Sequence, residues 1–360
     1  MNYCISESFE SLSKRILYAY QAAYPRFVPV NCGADETSQR DMHAFMEKAL
    51  ITIYEKPDMF GFQSIPDGYF EQWEMANTKP ELMKEMEKIE NRFISIVLGL
   101  IKIGCIGEIV PQGMIVLKES KAITKNTLHI LTLLGVECTT EKNHFILQVP
   151  KYPTLFSAWK TYAEADCETA TKVDRAISFI YGKYYGRVYS AVDFFGKLFG
   201  DTSELEKLEN FYLENGYSCM NSLLNGKTRY ACTKWSKEYD NGQKAFMSIC
   251  YEWKRQYPIL LQFHLPSFQL MLDKHYDSFD QDLQQFVFTR LKNCDSCGYC
   301  IQTDKSGKRQ KICRIMTCGD ISEQKCPLFP NFTFNFCKPR DMQYMKKLFQ
   351  YAEAVTLYLK

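Results

Sequence analysis

Histidine is scarce in this chain, with five residues in 360. No two are spaced to share a helix face, which argues against a histidine-based metallohydrolase. No GxxxxGK[ST] loop, no GxGxxG after a strand, no HExxH and no GxSxG occurs, so the phosphate cradles and nucleophile turns of the familiar nucleotide-binding and hydrolase classes are missing. Long apolar runs are missing too. The most apolar stretch, Phe93 to Gly107, contains Lys102 and falls short of the roughly 20 residues of a membrane span. The opening MNYCISESFESLSKR has no apolar run behind a basic start and is too acidic for a transit peptide. The expectation is a cytoplasmic protein with no membrane association.

What is present is a globular composition, 46% apolar and 14% aromatic with a net charge of +2, and no low-complexity block or internal repeat. The length suggests more than one domain, and the pattern divides into 1–165, a helical region with a small α/β unit; 166–290, aromatic-rich helices and a β-hairpin; and 291–360, a cysteine-rich module with a terminal helix. Helices are expected over Glu7 to Tyr20, Arg40 to Glu55 and from about Lys79. The last carries Leu82, Met86, Ile89, Phe93, Ile96 and Leu100 at helical spacing behind a Thr78/Glu81 capping box. Between the second and third, FGFQSIPDGYFEQWEM reads as a packed loop. Short strands over Glu108 to Leu117, a helix near Thr124 to Leu134, and strands VECTT and HFILQVP follow. This order also fits a winged helix, but Lys125 is the one cation of that helix, which equips it poorly for phosphates. It reads as an α/β packing unit.

Helices return from Pro153 to about Gly216. Gly182 and Gly186 would share one helix face within the aromatic run FIYGKYYGRVYSAVDFFGKLF. The run reads as core, with a ligand pocket lined by Tyr181, Tyr185, Tyr189 and Phe195 as the alternative, served by Asp174, Arg175 and Asp193. AFMSICYEW and PILLQFHLP suggest a hairpin across the polar turn Lys254 to Tyr257. His264, at the end of its second strand, is the histidine best placed for acid-base work, though a lone histidine there is more often structural. Helices are expected at Ser267 to His275, Gln281 to Leu291 and Asp341 to Leu359. In the last, Met345, Leu348, Phe349, Ala352 and Val355 form one apolar stripe. The fold class is α+β, with a helical N-terminal half, small sheet elements, and a C-terminal metal module packed with flanking helices.

Fifteen cysteines in a reducing compartment do not read as a disulfide framework. Eight are scattered before residue 290 and read as small buried hydrophobes. The other seven, Cys294, Cys297, Cys300, Cys313, Cys318, Cys326 and Cys337, crowd into one segment. The Cys294-x-x-Cys297 spacing lets one tight turn offer two sulfurs to one ion. The reading is one zinc ion held by four of the seven, Cys294 and Cys297 among them, in a structural role. An iron-sulfur cluster is the alternative, because Cys294, Cys297 and Cys300 reproduce the start of a ferredoxin-type run and Cys326-Pro327 its close.

Four thiolates on one zinc ion leave a charge near −2, so cations are expected nearby. From Arg290 to Lys360, thirteen Lys/Arg face six Asp/Glu, a net of +7. Charge compensation explains this. The sharper account makes Lys305, Lys308, Arg309 and Lys311, with Tyr299, Phe329 and Phe332, a nucleic-acid surface. CGYCIQTDKSGKR is similar to a segment of uncharacterised bacterial cysteine-rich proteins, a resemblance that implies no activity. The sequence thus favours a non-catalytic binding or regulatory protein. The alternatives are an enzyme using an iron-sulfur cluster or the aromatic pocket, and nucleic-acid binding through the basic module.

Overall fold

Ser11, in extended backbone, accepts a hydrogen bond from the Lys14 amide at 3.2 Å and so starts α1, Leu12–Ala22. The computed structural model describes residues 11–63, 80–165, 171–182, 185, 189–199, 202–223, 231–240, 242–251, 259–291, 293–294, 301–303, 306–311, 314–325, 331–334 and 339–357. They belong to an α+β fold of helices and small antiparallel sheets. Two compact units form, Glu7–Leu198 and a second built on Phe199–Lys360. The division falls inside the 166–290 segment, so the aromatic helices belong to the first unit and the hairpin to the second.

In the first unit, α2, Glu36–Glu55, starts earlier than its apolar spacing suggests, because Asp35 accepts the Ser38 amide at 2.9 Å as its cap. The same bond holds the Asp35 carboxyl below its ordinary pKa. The third helix, α3, Pro80–Ile106, buries Met86, Ile89, Phe93, Ile96 and Leu100 as expected. Thr78 and most of the aromatic loop before it, residues 64–79, lie outside the described residues. The helix ends just before the strands expected from Glu108 and runs through Gly104. A Cβ there would sit 2.6 Å from both Ala163 and Trp159 of α5, Leu155–Glu164, so glycine lets the two helices approach. Trp159 is fully buried and its indole donates to the Leu100 carbonyl at 2.9 Å.

Strands β1, Glu108–Val110, and β2, Gly113–Leu117, form one hairpin. Helix α4, Lys125–Leu133, precedes a second, β3, Glu137–Thr140, with β4, His144–Gln148. The four strands make one antiparallel sheet in the order β1-β2-β4-β3. Helix α6 is Lys172–Tyr181 and α7 is Ala191–Phe199. Gly182 does not sit on a helix face as its spacing suggested. It takes a left-handed conformation (φ +63°), closes α6 by donating to the Ser178 carbonyl, and separates α6 from α7. Gly186 lies outside the described residues.

In the second unit, α8, Ser203–Glu214, leads into β5, Ser218–Leu223, β6, Ala231–Glu238, β7, Lys244–Tyr251, and β8, Ile259–His264. The β7–β8 pairing expected from sequence is present, with Ile249 opposite Leu261. Then come α9, Phe268–His275, α10, Gln281–Arg290, the short strands β9, Ile301–Thr303, and β10, Arg309–Lys311, the strands β11, Arg314–Cys318, and β12, Ile321–Lys325, and finally β13, Asn331–Phe334, and α11, Pro339–Leu357. The sheet has five strands in the order β13-β8-β7-β6-β5, so the last strand of the cysteine-rich segment is an outer strand of the larger sheet.

Strand alternation gives this sheet two unlike faces. Thr233, Trp235, Met247, Ile249, Tyr251 and Phe263 share the face whose side chains are all fully buried. There Trp235 stacks on Tyr212 of α8 at 5.5 Å, and Phe349 of α11 meets Tyr212 at 5.0 Å and Phe263 at 5.9 Å. Met345, Leu348, Phe349, Ala352 and Val355 are all buried, so the apolar stripe of α11 is part of the core. At its edge Glu353 Oε1 accepts from Lys237 at 3.0 Å, Tyr239 at 3.1 Å and Tyr217 at 3.3 Å, tying α11 to β6.

Candidate metal centre

Asp280 caps α10 by accepting the Leu283 amide at 2.8 Å, and the helix stops at Leu291 in extended backbone. The chain then runs beside β12. Asn293 pairs with Lys325, and the Cys294 amide donates to the Gln324 carbonyl at 2.8 Å. On the other side of β12, Arg314 pairs with the same Lys325 and the ladder runs to Cys318 opposite Ile321. Lys325 is therefore paired on both flanks.

Its side chain is buried, 4% exposed. The ammonium donates to Asn293 Oδ1 at 2.6 Å and Glu323 Oε2 at 2.7 Å, and lies 4.4 Å from the Phe288 ring centroid. A buried lysine with a carboxylate, an amide oxygen and an aromatic face is compensated on every side described. It pins the end of β12 to α10 and to the segment entering Cys294.

Of the seven cysteines read as ligands, Cys294 and Cys318 fall among the described residues. Cys297, Cys300, Cys313, Cys326 and Cys337 lie outside them. Cys294 is half-buried, whereas Cys318 is buried and its Sγ donates to Gln285 Oε1 of α10 at 3.1 Å. The two are kept apart by β12, two strand spacings sideways and three residues along, or about 14 Å. That is the spacing of their Cα atoms; sulfurs sharing a tetrahedral zinc sit about 4 Å apart, which argues against Cys294 and Cys318 on one ion. Among the described residues no three His, Cys, Asp or Glu side chains converge as a metal site.

The hairpin β9–β10, with Ile301 opposite Lys311, carries the basic run. Lys308 is exposed at its turn; Lys305 and the side chains of Arg309 and Lys311 lie outside the described part. Two residues, Ile312 and Cys313, join Lys311 to Arg314. The open ends of both hairpins are therefore tethered to each other by a very short link.

The other sequence candidates have structural partners. Tyr181, Tyr189 and Phe195 are buried. The Tyr189 hydroxyl donates to the Tyr181 carbonyl at 3.1 Å, and that of Tyr185 to the Thr161 carbonyl at 2.5 Å. Asp193 accepts the Ser190 amide at 2.7 Å and Asp174 the Thr171 hydroxyl at 2.7 Å, both at helix starts, while Arg175 reaches the Cys105 sulfur at 3.6 Å. His264 stacks on Phe246 at 5.6 Å. Sequence reading missed Lys325 as a buried anchor; its signal, a lysine between a strand and a cysteine, is indistinguishable from the surrounding cations.

Compared with protein-family models, with curated proteins and with solved structures, the chain matches none. No helix among the described residues is long and apolar enough to cross a membrane.

Proposed function

We propose that the segment from Cys294 to Cys326 holds one zinc ion through Cys294, Cys297, Cys313 and Cys326, and that the ion fixes an interaction surface in a non-catalytic binding or regulatory protein. The Arg314–Lys325 pair supports this reading. Cys313 and Cys326 are each joined covalently to one member of that pair, whose Cα atoms are about 5 Å apart. Chain geometry alone then limits the separation of the two cysteine Cα atoms to at most about 13 Å. Cys294 pairs next to the same rung from the opposite flank, and Cys297 follows it at knuckle spacing. Chain connectivity therefore allows four thiols to gather at this rung, from which Cys318 is removed by the length of β11.

The test is zinc content. Protein prepared with zinc should carry one ion per chain, reduced by Ser at any of the four positions and unchanged by Cys318→Ser. Retention of zinc after joint Cys294→Ser and Cys297→Ser replacement would sink the assignment. A brown protein carrying iron and sulfide would move the reading to the iron-sulfur alternative and to an enzyme.

A further inference from the structure

A second pair of cysteines lies far from that segment in the sheet. Cys232 of β6 and Cys250 of β7 are direct cross-strand partners. Both are on the face opposite Trp235, both are buried, 4% and 0% exposed, and they pack against each other with their sulfurs 2.7 Å apart. As small hydrophobes the two would satisfy packing in any register. Direct opposition adds something packing does not require. Cross-strand partners hold their Cα atoms about 4.5 to 5.5 Å apart, inside the roughly 4.4 to 6.8 Å that a disulfide spans. The backbone spacing of the pair thus matches that of a disulfide.

We propose that Cys232 and Cys250 form a redox modification site, a dithiol that closes into a disulfide between β6 and β7. The oxidant is a low-molecular-weight disulfide, RSSR. One thiol loses its proton and attacks RSSR, giving a mixed disulfide and RS⁻. The second thiolate attacks the protein sulfur of that intermediate and releases the second RS⁻, and the two protons end on the two leaving thiolates. Two protein thiols are oxidised by two electrons and one RSSR is reduced to two RSH. Because both sulfurs are buried, the first step needs local opening of the sheet, so closure is slow and the finished bond resists reduction. The product staples the middle of the sheet and restricts the unfolded chain.

The test uses the whole 360-residue chain, prepared with zinc, incubated with a small-molecule disulfide, quenched with acid, alkylated under denaturing conditions and digested without reductant. The expected result is a peptide pair joined through Cys232 and Cys250, two hydrogens lighter than the separate peptides, with a melting temperature raised by about 5 °C or more. Cys232→Ser should abolish the joined pair and the gain together. Recovery of both residues as alkylated thiols, or of either joined to a different cysteine, overturns the proposal. Zinc measured on the same samples reports on the metal segment separately.

Discussion

The five-stranded sheet and the β11–β12 hairpin belong to one unit, yet they are held in different ways. In the sheet, Trp235, Met247, Ile249, Tyr251 and Phe263 are completely buried beneath α8 and α11. In the hairpin, Met316 and Cys318 point into α10, while Ile315 and Ile321 are 72% and 57% exposed. A sheet with a continuous apolar face is stabilised by removing that face from water. A two-stranded ribbon has too little surface to bury and is marginal without a further link. The same residue type therefore does two jobs in one unit. Cys232 and Cys250 are buried inside the sheet's packing; under the zinc reading proposed above, cysteines of the 294–326 segment would supply what the hairpins lack, a crosslink through an ion.

Removing α11 should have the largest effect. A chain ending at Pro339 loses Met345, Leu348, Phe349, Ala352 and Val355 from the core. At about 1.5 to 3 kcal/mol for each large side chain, the loss rivals the ~5 to 15 kcal/mol that stabilises a typical domain. Such a chain should be insoluble or unfolded in its second unit. An unchanged melting temperature would show that the terminal helix is a dispensable tail and that the sheet is not held by burial.

Next is metal removal, which should act in the opposite place. A strong chelator, or joint Cys294→Ser and Cys297→Ser replacement, should abolish amide-exchange protection in β11 and β12 and leave that of β6 and β7 within a factor of about 10, or ~1.4 kcal/mol. Equal loss in both would mean that the sheet and the hairpin are held in the same way.

A smaller and graded effect concerns the Glu353 cluster. Burial, reinforced by their mutual hydrogen bond and the Glu353 charge, pushes the Tyr217 phenol well above its ordinary pKa, and burial above all raises Tyr239. A raised folded-state pKa means the neutral form is favoured on folding. The contribution is full below the unfolded value of about 10 and is lost as pH rises beyond it, by up to about 1.4 kcal/mol per pH unit for each group. Urea midpoints at pH 9 and pH 11 should differ accordingly. Tyr217→Phe with Tyr239→Phe should shrink the difference, and an unchanged difference would assign the pH dependence to other groups.

The least effect, and the one that bears on partners, is expected from replacing Lys308, Arg309 and Lys311 by Gln. If these cations offset thiolate charge, the pH at which zinc binds should rise by about half a unit. If they contact phosphates, a salt-sensitive nucleic-acid affinity should fall while the zinc profile stays put. The second outcome would make the hairpin a nucleic-acid surface.

Much of the fold was legible because much of it is local. The α11 stripe, the α3 stripe and the β7–β8 and β3–β4 hairpins all follow from residues within one element or one turn of each other. Helix ends were less legible. Asp35 and Gly182 are ordinary cap residues, but apolar spacing outweighed Asp35 in placing one start, and the spacing to Gly186 suggested a face where Gly182 makes a stop. The pairing of β13 with β8 was not legible at all. NFTF is four residues long, and its partner strand lies 67 residues earlier at the Asn331–His264 rung and 73 earlier at the Phe334–Leu261 rung, so no local pattern connects them. In the cysteine-rich segment the knuckle spacing was visible, while the separation of Cys318 from Cys294 depends on β12 lying between them.

The position of β13 has a consequence for a growing chain. While the protein is being synthesised, β5 to β8 can form their meander as soon as they emerge, but β8 has its final neighbour only when Phe334 follows. At about 5 to 20 residues per second, the interval lasts on the order of several seconds. During that time the outer edge of β8 offers unpaired amides and carbonyls next to a hydrophobic run, the situation in which neighbouring nascent chains associate edge to edge. The cysteine-rich segment is translated within this interval, so early metal capture would shorten the reach from β12 to β13 and hasten the moment at which the sheet closes its own edge.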